Sequence, residues 1–145
     1  MAKKITGCVF DLDGTLADTA PDIALALNKS LNDAGYRQLP LESVKRMIGN
    51  GIPVLVRRAL FHVEAPDNLA PDVITSMLSY SRKYYCEKSS LMHGVENCLS
   101  GLKKRAIPMS VCTNKDETVA QMVVSALGLN SYFNTIVGSR PDLVK

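Results

Sequence analysis

Two aspartates stand close together near the start of the chain, directly after an apolar run. The run is Ile5-Thr6-Gly7-Cys8-Val9-Phe10, and it leads into Asp11-Leu12-Asp13-Gly14. Side chains alternate along an extended backbone, so Asp11 and Asp13 share one side, and Gly14 allows a sharp turn after them. Two carboxylates about 4 Å apart repel by ~4 kcal/mol at an effective dielectric near 20. Such a pair needs a cation, a proton or hydrogen bonds in compensation, which predicts a functional site.

This pair suits the hydrolysis of a phosphate monoester, which needs a nucleophile, charge neutralisation and protonation of the leaving group. Asp11 can attack phosphorus to form an aspartyl-phosphate, as carboxylate nucleophiles do. Asp13 can protonate the departing oxygen and later take a proton from the attacking water. A cation is then required, and we expect Mg²⁺, which prefers oxygen ligands. The alternative, that both acids only make a strand end soluble, is disfavoured by the apolar run before them.

A second polar group follows a later apolar run. Thr113 ends that run, and its hydroxyl is suited to hold phosphate oxygens together with the amides of Asn114 and Lys115, at a predicted helix start. Capping of that helix by Thr113 is an equally good interpretation and is compatible with phosphate binding. Lys145 is the only lysine after the third predicted strand and would bring positive charge to the same anion. A frayed terminal charge is the competing interpretation of Lys145.

Apolar periodicity divides the chain into an α/β part and a helical part. Strands are predicted at 5–10, 107–112 and 135–138, with helices before and after the second of them. Strands that alternate with helices predict a parallel, right-handed, doubly wound sheet of Rossmann-like type. Residues 19–86 have instead the pattern of four amphipathic helices. We therefore predict an α/β core from residues 1–18 and 87–145, interrupted by a helical cap at 19–86.

Composition and charge exclude several classes of protein. The 145 residues are 46% hydrophobic and 21% charged, with a net charge of +3, which is typical of a globular domain. The cations are scattered, so nucleic acid is not an expected partner, and no segment is predicted to span a membrane. Cys8, Cys86, Cys98 and Cys112 lie far apart. We expect buried free thiols in a reducing cytoplasm rather than a zinc or disulfide framework.

Several stretches resemble the motifs of one enzyme superfamily. The first signature of the haloacid dehalogenase (HAD) superfamily is similar to Asp11-Leu12-Asp13-Gly14-Thr15-Leu16 with Asp18-Thr19, and the second is similar to Val111-Cys112-Thr113-Asn114-Lys115. The helical stretch 48–60 and the run His93-Gly94-Val95-Glu96 resemble phosphoglycolate phosphatase-like members. The resemblance covers essentially the whole chain.

The resemblance implies a cytoplasmic, magnesium-dependent phosphatase that acts on a small phosphorylated metabolite similar to phosphoglycolate. It implies that Asp11 is the nucleophile and Asp13 the general acid and base, with both binding the metal. Binding of the substrate phosphate would fall to Gly14, Thr15, Thr113, Asn114 and Lys145. Specificity would be set in the cap by Gly49, Gly51 and Arg57.

The family's fourth motif, Gly-Asp-x-x-x-Asp, is not found up to Lys145. We therefore expect an incomplete core, the N-terminal portion of a phosphatase, whose exposed sheet edge would allow self-association. A phosphosugar mutase, a pyrophosphatase, or a phosphonate-cleaving enzyme with Lys29 or Lys45 as its cap lysine are the alternatives within the family. Outside catalysis, the chain could be an inactive interaction module.

Overall fold

The computed structural model describes residues 5–140, so the predicted phosphate ligand Lys145 lies outside the described residues. The strands are β1 (Cys8–Phe10), β2 (Ala17–Asp18), β3 (Ser90–Leu91), β4 (Met109–Asp116) and β5 (Thr135–Ser139). The helices are α1 (Ala20–Asp33), α2 (Leu41–Lys45), α3 (Ile52–His62), α4 (Ala70–Lys83), α5 (Val95–Lys104) and α6 (Glu117–Ala126). Short 3₁₀ turns occupy Asp67–Leu69 and Asn130–Tyr132. In the part of the chain described, no helix combines the length and apolarity needed to cross a bilayer.

The main sheet is parallel, as predicted. Its strand order is β1-β4-β5, with Phe10 opposite Val111 and Val111 opposite Ile136. The carboxyl ends of the three strands therefore meet at one edge of the sheet, which is where ligands of such sheets bind. A second, antiparallel pair joins β2 to β3, and the sequence pattern did not predict it.

Strand β4 continues four residues beyond the predicted end at residue 112. The side chain of Asp116 accepts a hydrogen bond from the amide of Val119 at 3.1 Å and so caps α6, which begins only at Glu117. Asp116 also lies opposite Ser139 of β5, after an irregularity in the ladder. The expectation that Asn114 and its neighbours start a helix was therefore wrong, and they belong to the strand.

The chain divides into two compact units, and each is described here by itself. One joins the segment up to Asp18 with the segment from Ser90 onward, and the other is Thr19–Ser89. The second unit contains α1 to α4, as the helical pattern predicted. Its core is built from aliphatic side chains with no exposed surface, among them Leu27, Leu31, Val44, Val56 and Leu60.

The second boundary lies three residues later than the predicted one after residue 86. A buried carboxylate explains the difference. Asp22, in the first turn of α1, accepts hydrogen bonds from the amides of Lys88 and Ser89 at 2.8–3.0 Å and from the Ser89 hydroxyl at 2.6 Å. These charge-assisted bonds attach residues 88 and 89 to the helical unit.

The cysteines are less buried than expected. All four are free thiols, but Cys98 and Cys112 are exposed and Cys8 and Cys86 are half-buried. Alternation along β4 gives the reason for Cys112, because its neighbour Val111 faces the core with no exposed surface. Val9 on β1 is likewise 71% exposed. One face of the sheet thus presents apolar groups to the surface among the described residues.

Candidate active site

The two predicted acids follow β1 at the carboxyl edge of the sheet. Asp11 is exposed and Asp13 is half-buried, whereas Leu12 between them has no exposed surface. This alternation is the one the sequence predicts. Gly14 then takes a left-handed conformation with φ of 76°, and its amide donates to the carbonyl oxygen of Ala17 at 2.8 Å. The glycine therefore makes the turn that closes the loop after the acids.

Asp11 is held by its own backbone. The Oδ1 atom accepts a hydrogen bond from the amide of Leu12 at 2.7 Å. This bond fixes one oxygen of the carboxylate while the side chain as a whole remains exposed. An exposed, oriented carboxylate at a strand end is accessible to a phosphorus atom that approaches from solvent.

Asp13 is held by a lysine from the neighbouring strand. The ammonium of Lys115 lies 2.9 Å from Oδ1 of Asp13, and the two side chains are only 11% and 16% exposed. This contact was not predicted, because only the backbone amide of Lys115 was expected to act. The available signal was the prediction that the end of the first strand and the end of the second meet at one edge of the sheet. The ammonium supplies compensation for one of the two carboxylates.

Thr113 and its neighbours form the second wall of this edge. The Thr113 hydroxyl oxygen accepts a hydrogen bond from the amide of Lys115 at 3.2 Å. A hydroxyl can accept and donate at once, so this bond leaves its proton available to a phosphate oxygen. Asn114 is exposed, as are Gly14 and Thr15 in the loop after β1. Lys115 therefore contacts both residues, Asp13 through its ammonium group and Thr113 through its backbone amide.

Strand β5 packs tightly against this second wall. A Cβ placed on Gly138 would lie 2.5 Å from the Cα of Glu117 and 2.6 Å from the carbonyl oxygen of Lys115. The amide of Gly138 also donates to Oε2 of Glu117 at 3.1 Å. The absence of a side chain at residue 138 thus allows the close approach of β5 to the end of β4.

Comparison with known proteins identifies the family. The model for haloacid dehalogenase-like hydrolases matches residues 8–142 of the chain. The chain belongs to the haloacid dehalogenase-like hydrolases. The family resemblance of the motif around Asp11 and Asp13 and of the motif around Thr113 is confirmed. The expected fold, a parallel sheet with a helical insertion, is confirmed as well.

Curated relatives of this HAD-like hydrolase are phosphoglycolate phosphatases. The protein from Pseudomonas savastanoi is 38% identical over 135 residues, which make up 90% of this chain and 49% of the relative. The protein from Colwellia psychrerythraea is 33% identical over 90% of this chain and 60% of its own length. A crystal structure of a predicted phosphoglycolate phosphatase from Haemophilus somnus superimposes with a TM-score of 0.87 at 30% identity, covering 97% of this chain and 66% of that one. The chain thus spans about half to two thirds of these relatives.

The predicted specificity residues of the HAD-like hydrolase lie in the helical unit. Gly49 and Gly51 have φ of 127° and 81°, and Gly51 directly precedes α3. Arg57 is exposed and forms an ion pair with Asp67. Its neighbour Arg58 bonds instead to the loop that contains the glycines.

Arg58 forms hydrogen bonds to two residues of that loop. Its Nη1 donates to the carbonyl oxygen of Met47 at 2.9 Å, and its Nη2 donates to Oδ1 of Asn50 at 3.2 Å. The sequence alone did not single out Arg58, because the direction of a helical side chain decides which neighbour reaches the loop. Arg58 therefore joins Gly49, Gly51 and Arg57 as a candidate for shaping the cap.

Proposed function

We propose that the protein to which this sequence belongs is a magnesium-dependent phosphatase that hydrolyses a small phosphomonoester similar to phosphoglycolate. The arrangement at the carboxyl edge of the sheet is the main support. Asp11 is exposed and is oriented by the amide of Leu12, and Asp13 forms an ion pair with Lys115. The hydroxyl of Thr113 accepts a hydrogen bond from the Lys115 amide and can donate its proton to a phosphate oxygen. The phosphoglycolate phosphatases found among the relatives support the choice of substrate class.

The proposed reaction has two steps. Asp13 enters the first step protonated. An oxygen of Asp11 attacks phosphorus, the bond from phosphorus to the ester oxygen breaks, and Asp13 gives its proton to the departing alkoxide, so an alcohol leaves. Asp13, now a carboxylate, then takes a proton from water, the water oxygen attacks the phosphoryl group on Asp11, the bond from phosphorus to Asp11 breaks, and inorganic phosphate is released. Thr113, whose hydroxyl proton is available, holds the phosphoryl oxygens in both steps together with the exposed Asn114.

The oxygen atoms at this edge of the sheet are of the type that Mg²⁺ prefers as ligands. The exposed carboxylate of Asp11 and the backbone carbonyl of Asp13 are oxygen ligands, and Mg²⁺ commonly uses one or two carboxylates and keeps several waters. No cluster of three or more histidine, cysteine or acidic side chains occurs within residues 5–140. The described residues thus offer part of a coordination shell. When bound, the cation would offset the charge of the substrate phosphate.

Specificity is proposed to come from the loop around Gly49 and Gly51, with Arg58 as its support. Replacing Arg58 by leucine removes bonds to the carbonyl of Met47 and to Asn50, each worth roughly 1 kcal/mol. We expect KM for phosphoglycolate to rise while kcat changes little, since the reacting groups are in the other unit. Arg82→Leu, which replaces an exposed arginine in the last turn of α4, is the matched control and should leave both constants near their original values.

Phosphate release tests the proposal directly. The protein is purified as the 145 residues and as any longer product of the same reading frame, and phosphoglycolate is supplied with and without Mg²⁺. We expect release that requires Mg²⁺ and falls by roughly 10⁴-fold or more in Asp11→Asn, which keeps the size of the side chain but removes the nucleophile. Asp72→Asn, an exposed acid in the first turn of α4, is the control and should retain the rate.

Two results would overturn the phosphatase assignment. One is a Mg²⁺-dependent rate that survives in Asp11→Asn. The other is the absence of release from every length of the protein together with a flat titration by beryllium fluoride, which mimics a phosphoryl group on a carboxylate. Rapid release of phosphate from pyrophosphate, or interconversion of phosphosugars, would favour the related activities in the same family.

An interaction module is a second candidate, favoured by one observation. Strand β1 is at an edge of the described sheet and carries Val9, which is 71% exposed. Uncovered apolar edges pair readily with other chains. We propose self-association through β1, and Val9→Lys should reduce the mass seen by light scattering in solution. A monomeric parent protein would exclude this candidate.

A further inference from the structure

Lys115 contacts both motifs of the candidate site. Its ammonium bonds to Oδ1 of Asp13 at 2.9 Å, and its amide bonds to the hydroxyl of Thr113 at 3.2 Å. The side chains of the ion pair are 11% and 16% exposed, so solvent screens the pair far less than a surface pair. One residue on β4 therefore fixes a polar group after β1 and another on its own strand.

The parallel pairing of β1 with β4 makes this contact specific. Phe10 lies opposite Val111, so the residues after Phe10 run beside residues 112–115 of β4. The Lys115 side chain then reaches across from β4 to the acid two places beyond the nucleophile.

We infer that Lys115 is a positioning residue for Asp13: its ammonium binds Oδ1, which leaves the other carboxyl oxygen in the orientation needed to carry a proton to the leaving group. The inference rests on the proposed function. Asp13 lies close along the chain to the like charge of Asp11, and without a cationic partner the two carboxylates would repel. Loss of Lys115 would free the Asp13 side chain to rotate away, and misplacement by about 1 Å can cost ~10²-fold in rate.

Leaving-group chemistry separates this role from others. An alkyl phosphate such as phosphoglycolate releases a strongly basic alkoxide and needs the proton from Asp13. The nitrophenolate released by p-nitrophenyl phosphate leaves without one. The parameter to compare is kcat/KM, because it reports the steps up to the first departure of the leaving group.

Lys115→Met should lower kcat/KM for phosphoglycolate by about 10²-fold, the scale of general acid catalysis, and lower it for p-nitrophenyl phosphate by less than about tenfold. Lys115→Arg keeps a cation at a similar reach and should recover much of the loss. Lys104→Met, which removes a lysine from exposed α5 surface, is the control and should leave both substrates unaffected. A merely structural role of Lys115 would lower both substrates together.

Equal losses on the two substrates would overturn the inference and indicate instead that Lys115 binds phosphate or maintains the fold. Unchanged activity in Lys115→Met would overturn it as well. If the parent protein is active and depends on Asp11, either result removes only the role of Lys115. If the parent protein is inactive, or active without Asp11, the proposed function fails and the inference fails with it.

Discussion

Replacing Gly138 by alanine should distort the strand that supports the candidate site. The new methyl carbon would lie 2.5 Å from the Cα of Glu117 and 2.6 Å from the carbonyl oxygen of Lys115. Both are backbone atoms, so rotation of a side chain cannot relieve the contact. One of the two segments has to move by roughly 1 Å to reach an ordinary van der Waals distance.

The expected loss of stability is about 3 kcal/mol. Overpacking of a tightly packed region costs ~1–3 kcal/mol, and backbone clashes belong at the upper end of that range. The displacement also weakens the bond from the Gly138 amide to Glu117, which is 3.1 Å long. Gly138 is not among the glycines with positive φ, so the cost is steric rather than conformational.

Gly101→Ala is a matched control with the opposite expected sign. Gly101 lies within α5, and a methyl group placed there meets no heavy atom within 4 Å. Replacing an interior helical glycine by alanine stabilises by ~0.5–1 kcal/mol. The same chemical change at the two positions should therefore differ by about 4 kcal/mol in the free energy of unfolding.

Denaturant unfolding gives the overall free energy, and hydrogen exchange assigns the change to a unit. The amides of β4 and β5 should lose protection in Gly138→Ala, while those of α1 to α4 should not. We also expect lower kcat/KM for phosphoglycolate, because Lys115 moves with the strand. If Gly138→Ala remains within about 0.5 kcal/mol of the parent, the size of a neutral surface substitution, the close packing of β5 is not what requires glycine.

Two further predictions concern the helical unit. Asp22→Ala should destabilise this unit by ~2–3 kcal/mol, because Asp22 is 4% exposed and accepts charge-assisted hydrogen bonds. Asp72→Ala replaces an exposed acid in the first turn of α4 and should change the stability of the unit by less than ~0.5 kcal/mol. Hydrogen exchange measures both changes. Burial, and next the nearby Asp22, raise the pKa of the Cys86 thiol, so less thiolate is present at a given pH. Iodoacetamide should therefore modify Cys86 more slowly than the exposed Cys98 at pH 8, with the rate at Cys86 still rising at higher pH; faster labelling of Cys86 would contradict this.

The part of the candidate site at the end of β1 was predictable because its signals are local. An apolar run, two acids at alternate positions and a glycine define a strand, a shared side and a turn without knowledge of the rest of the chain. The structure shows each of them, in Asp11, Asp13 and Gly14 with its φ of 76°. The parallel sheet was equally predictable from the alternation of strands and helices.

The errors have one physical source, since each depends on contacts between distant segments. The length of β4 is set by its pairing with β5, which reaches Asp116 opposite Ser139 and which apolar periodicity does not record. The exposure of Cys112 depends on which face of the sheet is covered. The contact of Lys115 with Asp13 joins residues 102 positions apart. Alternation could not predict the direction of the Lys115 side chain, because the ladder is irregular between Cys112 and Asp116.

The pair of strands β2 and β3 has a consequence for how the molecule can be altered. Asp18 and Ser90 are direct partners in this antiparallel pair, so the chain departs for the helical insertion and returns from it at adjacent positions about 5 Å apart. A two-residue turn such as Asn-Gly spans that gap. Deletion of residues 19–89 with such a turn in their place would therefore convert the insertion site into a simple hairpin, and the insertion could be exchanged for a different one by the same junction.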